Sequence, residues 1–255
     1  MNDLSDWKCE GEIFNASAFD GLKYTDASGA VKSLSRNSGR MLYAPDVLYY
    51  PETETYYLFM SPNPDNKIFA ASSKSPCGPF TSPQYICDGF DPAVLVDDTT
   101  DVNGHRKVYL YYSTESGRDC FACQLDPFNY MKPVKGTLHY PDTYSKNSDR
   151  SIAEKATMIS KNLEPFYFFE GPSIRKVHDW YILSYQRSEP NGSQNGKLAE
   201  IGWAYCRNPF GDPNDSSAPD IWHYGGVIVS NLGQTVKDPY SQKNINTFYG
   251  QNNHG

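Results

Sequence analysis

Three stretches of this chain open in the same way. Tyr43-Ala44-Pro45-Asp46-Val47, Phe90-Asp91-Pro92-Ala93-Val94 and Phe169-Glu170-Gly171-Pro172-Ser173 each lead into an apolar, β-branched run. A turn follows each opening, and then a tyrosine-rich strand at 55–61, 107–113 and 181–185. Further strands come next: 67–72 and 84–87 in the first unit, 120–125 in the second, 201–206 and 225–229 in the third. A unit of about four strands that keeps restarting restricts the fold, because such sheets gain a core by packing on their neighbours. The sequence predicts an all-β chain arranged as a β-propeller, with the first strand of each unit lining a central channel. A sandwich of alternating strands is the other arrangement open to such a pattern.

Composition supports strands over helices. The 20 Tyr and 13 Phe favour pleated, half-buried surfaces, and 18 Pro and 19 Gly are spread along the chain as turn formers. The best helix candidate, 151–158, is short. Residues 8–14 suggest a short strand, 15–40 a polar loop rich in Gly and Ser, and 126–165 a long polar insertion. The net charge of −7 comes without a basic cluster, which argues against a nucleic-acid partner. The N-terminus has neither a basic region nor an apolar run, so no signal peptide and no membrane span is expected. Six cysteines are too sparse for a disulfide-stapled scaffold. Cys120-Phe121-Ala122-Cys123 has metal-ligand spacing, but no second pair accompanies it. Free or buried thiols are the main reading, with a metal site or redox pair as the lesser one.

The carboxylates at the openings carry the chemistry. Glu170 follows three aromatics and precedes a Gly-Pro pair, and the first cation after it in sequence is Arg175. Burial of a carboxylic acid in such surroundings raises its pKa, which suits a proton donor near neutral pH. The plain structural alternative is a strand-end carboxylate bonded to a turn. Asp46, Asp91, Glu170 and His254 each sit at an opening, so a propeller would converge them on its axis. Acidic groups there are costly to bury and hard to explain as packing.

Together with Asn252-Asn253-His254-Gly255, the three openings resemble glycoside hydrolase family 43. The resemblance implies a five-bladed β-propeller acting on arabinose- and xylose-containing plant polysaccharides, with inversion at the cleaved carbon. It implies that Glu170 is the general acid and Asp91 the carboxylate that orients and tunes it. The general base would belong to a strand ahead of the segment Asp3-Leu4-Ser5-Asp6-Trp7, and no such strand is found here. The expected fold is therefore an incomplete propeller, three full blades plus parts of two, spanning 1–255 as one domain. The resemblance places His254 at a metal or water site on the axis, where a structural calcium is possible; a hydrogen bond near the channel is the alternative. No cofactor is required. Tyr43 and Phe169 are candidates to line the sugar pocket. Asp46 could bind sugar, replace the base, or hold backbone groups at its strand start. The expected partner is an oligosaccharide or polysaccharide, with self-association through open propeller edges. A carbohydrate-binding propeller without catalysis, and an interaction propeller unrelated to sugars, are the other function classes.

Overall fold

A computed structural model describes residues 11–113, 120–138, 168–187, 200–209, 222–230, 235–237 and 244–246. The described residues form three four-stranded antiparallel meanders and two two-stranded pieces. Blade one is β3 (Met41–Tyr50), β4 (Thr55–Asn63), β5 (Lys67–Ser73) and β6 (Thr81–Asp88), after the small hairpin β1 (Lys23–Thr25) and β2 (Val31–Ser33). Blade two is β7 (Phe90–Thr100), β8 (Arg106–Ser113), β9 (Cys120–Asp126) and β10 (Lys132–Pro133). Blade three is β11 (Phe168–Val177), β12 (Trp180–Arg187), β13 (Glu200–Cys206) and β14 (His223–Ser230), followed by the pair β15 (Thr235–Lys237) and β16 (Asn244–Asn246).

The blades stack face to face in chain order. Between blades one and two lie Tyr57 and Phe59 against Leu110, Tyr112 and Leu125. Between two and three lie Tyr109 and Tyr111 against Leu183, Tyr185 and Trp222. Strand β8 is therefore covered on both faces, and Val108 to Ser113 are all buried. Among the described residues strand β12 is packed on one face: Tyr181, Leu183 and Tyr185 are buried, while Ile182 and Ser184 are half-buried. Sequential four-stranded sheets sharing faces in a stack are propeller blades, which disposes of the sandwich alternative.

Among the described residues, the far face of blade one is only partly covered. Phe19 and Leu34, from the segment that holds β1 and β2, pack on Leu58, Met60 and Phe69 of the outer strands. On the inner strand, Val47 stays 52% exposed, whereas its repeat counterparts Val94 and Ile174 are 6% and 0% exposed.

Some local expectations need correction. The polar stretch 15–40 is not all loop: Asn15 caps a short 3-10 turn, Ala16–Phe19, and the β1–β2 hairpin follows. Its apolar residues are few but well spaced to cover the outer face of blade one. Residues 11–14 are not a strand. The insertion after 126 begins with a tight turn and β10, which completes blade two. The helix candidate at 151–158 and His254 lie outside the described residues. The Cys120/Cys123 pair cannot chelate: three residues apart on one strand, they face opposite cores, Cys120 toward blade three and Cys123 toward blade one. Among the described residues no group of three or more His, Cys, Asp or Glu is placed to hold a metal ion.

Candidate functional site

Each inner strand opens with the same backbone device. Tyr43, Phe90 and Glu170 pair across the sheet with Ser61, Ser113 and Gln186. The next residue is left-handed: Ala44 at φ 41°, Asp91 at φ 51° and Gly171 at φ 62°. A proline follows in every case, and its missing N–H cannot join the ladder. Pairing resumes at Asp46↔Phe59, Ala93↔Tyr111 and Ser173↔Ser184. The shared motif is thus a bulge, a feature that re-aims side chains where a strand begins. Only Gly171 adopts its left-handed conformation without strain; Ala44 and Asp91 do so at a cost.

The alignment on Pro45, Pro92 and Pro172 corrects the simple reading of the openings. The three carboxylates are not equivalent. Glu170 stands at the first bulge position, Asp91 at the second, and Asp46 at the fourth. Each therefore leaves the backbone in a different direction, and their roles separate.

Asp91 Oδ2 accepts a hydrogen bond from the backbone N–H of Gly171 at 3.1 Å. It thereby holds the peptide next to Glu170 from the neighbouring blade. Both carboxylates are half-buried. Asp46 is committed differently. Its Oδ1 accepts from the N–H of Val47 at 2.9 Å and its Oδ2 from the N–H of Val94 at 2.9 Å. Of the three roles open to Asp46, holding backbone groups is the one that these bonds display. Tyr43 is 45% exposed and Phe169 half-buried, both beside a bulge.

Several polar groups near these bulges were not legible in the sequence. Ser61, Ser113 and Gln186, opposite the three first bulge positions, are buried, and each has a side-chain oxygen without a hydrogen-bond partner among the described residues. Arg187, the backbone partner of Phe168, forms a buried ion pair with Glu200 and lies over the ring of Tyr224 at 5.6 Å. Arg187 thus stands on the strand paired with that of Glu170, where sequence distance had offered only Arg175. At the other end of the same seam Asp97 is fully buried, accepting from Lys176 Nζ at 2.7 Å and from the Tyr181 hydroxyl. The inner strands β7 and β11 are thus fastened at both ends, by Asp91 on Gly171 and by Asp97 on Lys176.

Stacked four-stranded blades with acidic side chains at the heads of adjacent inner strands define a β-propeller with an acidic site at the blade openings. The chain belongs to glycosyl hydrolases family 43, whose family model matches residues 2–223. A "Xylosidase/arabinosidase" of Thermoclostridium stercorarium is 27% identical, over all of this chain and 47% of that protein. An alpha-L-arabinofuranosidase from Clostridium thermocellum shares the fold with a TM-score of 0.54 and 22% identity, over 89% of this chain and 60% of that one. An endo-1,4-beta-xylanase from Bacteroides thetaiotaomicron does so with a TM-score of 0.53 and 22% identity, over 87% and 60%. The chain thus spans about half the length of the curated relative. The fold is that of the family's five-bladed propeller, with three complete blades among the described residues.

Proposed function

We propose that this domain is the acid-bearing part of a glycosidase that cleaves arabinose- or xylose-containing oligosaccharides or polysaccharides with inversion. Glu170 protonates the leaving oxygen, and Asp91 holds the strand that presents it. The observation that carries this reading is the bond from Gly171 N–H to Asp91 Oδ2, which ties the two openings across a blade seam. The substrate class is supported by the names of the relatives, a xylosidase/arabinosidase, an arabinofuranosidase and a xylanase.

Inversion also needs a base that activates water on the opposite face, with its carboxyl about 6.5–9.5 Å from the acid. We assign that base to none of the described residues. Asp46, the remaining carboxylate of the three bulges, has both oxygens on backbone amides.

The test compares Glu170→Gln with the unaltered protein on two substrate classes. Loss of the acid should slow oligosaccharide cleavage by about 10²–10⁴-fold and spare nitrophenyl glycosides, whose leaving groups need little protonation. Equal loss on both classes would remove Glu170 from the acid role. The engagement of Asp46 also favours a second reading, a carbohydrate-binding propeller without catalysis. Saccharide binding by calorimetry with no product after long incubation selects that reading.

A further inference from the structure

The carboxylate without a part in the proposed reaction is Asp46. Among the described residues, strands β3, β7 and β11 each end their sheet, so one edge of each has no strand partner there. Edge N–H groups that face protein rather than water need acceptors. Two of these amides are taken by carboxylates of the preceding blade: Val94 by Asp46 at 2.9 Å, and Gly171 by Asp91 at 3.1 Å. The two bonds follow one another. Asp91 lies three residues before Val94, in the bulge where β7 leaves its ladder between Phe90↔Ser113 and Ala93↔Tyr111. Asp91 also holds an unfavourable left-handed conformation, φ 51°, just ahead of Pro92. A bulge strained in this way keeps its shape only if both ends are fixed. Its far end is fixed by the resumed ladder and by Asp46.

We propose that Asp46 is a positioning residue for the acid: it pins the edge of β7 where the bulge ends, sets Asp91 on the Gly171 amide, and so fixes Glu170. The proposal rests on the reading of Glu170 as the general acid. Order passes from blade one to blade two to blade three, over sequence separations of 48 and 80 residues. The chemistry requires a carboxylate. Two N–H donors, Val47 and Val94, converge on one side chain, and only a group with two acceptor oxygens satisfies both. An asparagine would turn its own NH₂ toward one of them. A glutamate keeps both acceptors at the cost of one extra methylene.

The experiment is residue-resolved amide hydrogen exchange on the full chain carrying Asp46→Asn, Asp46→Glu or Asp91→Asn. In Asp46→Asn, exchange at Val94 and at Gly171 should rise on the order of tenfold or more, as expected for a lost charge-assisted hydrogen bond. The core amides of Leu183 and Ala204 should keep their rates. Asp46→Glu should recover part of the protection, and Asp91→Asn should free Gly171 and leave Val94 protected. Gly171 staying protected in Asp46→Asn would overturn the proposal, and so would a uniform rise at all amides. Turnover gives the second readout: kcat falls in Asp46→Asn at constant KM, and Asp46→Glu restores part of it. Should Gly171 respond while Glu170→Gln leaves turnover unchanged, the catalytic reading fails and takes the positioning role with it. If turnover depends on Glu170 but Gly171 ignores Asp46, the positioning role alone is lost.

Discussion

Replacing Lys176 by methionine tests how the seam between blades two and three is held. Asp97 is 1% exposed, and its carboxylate takes hydrogen bonds from Lys176 Nζ at 2.7 Å, Thr99 N–H at 3.1 Å and the Tyr181 hydroxyl. Burial pushes its pKa up, but the bonds from Lys176 and Tyr181 outweigh burial and hold it down at about 2, against 3.8 for an unperturbed aspartate. That gap is worth on the order of 2 kcal/mol. Because the folded pKa lies below the unfolded one, this stability is fully present above about pH 4 and is lost as the pH falls toward about 2. Lys176 also meets Asp98, which is largely exposed and adds little. Removing the cation leaves a buried charge with two neutral donors, which should cost about 2–4 kcal/mol at pH 7. It should also raise the pKa of Asp97, so the variant can relieve its penalty by taking up a proton. Urea unfolding followed by tryptophan fluorescence should therefore show a large stability difference at pH 7 and a smaller one at pH 3. A difference below about 0.5 kcal/mol at pH 7, the level of an exposed pair, would refute this account, as would one that does not change with pH.

Two further substitutions probe blade three. Arg187→Met takes the cation from the buried Glu200 carboxylate and should cost about 3–5 kcal/mol, most of it recovered in the Arg187→Met/Glu200→Leu double variant; thermal unfolding of the single and double variants decides this. Gly225→Ala would drive a methyl into the Trp203 ring, so the ring must move. The expected loss is about 1–3 kcal/mol with a changed tryptophan emission, and an unchanged spectrum at unchanged stability would contradict the packing described.

The pinned seams explain why acidic residues recur at the blade openings even without catalysis. Among the described residues an inner strand has an edge with no strand partner, and a carboxylate from the preceding blade is a compact acceptor for its N–H groups.

What the sequence determined by itself is local. Tyrosine-rich, β-branched runs and a proline two or three residues into each opening placed β4, β8 and β12 within a few residues of their observed bounds. These signals are local because they arise from backbone sterics and from one strand meeting one core face. The restarting units were enough to read a propeller, and the family resemblance carried by the openings pointed to Asp91 and Glu170. The tertiary structure decided what each carboxylate does. Asp46 reaches Val94 across 48 residues, Asp91 reaches Gly171 across 80, and Asp97 reaches Lys176 across 79. No local pattern encodes such pairs, because they exist only once neighbouring sheets stack in a definite register. The same holds for Cys120 and Cys123, whose ligand-like spacing became two separate core contacts when the strand pleat sent them to opposite faces.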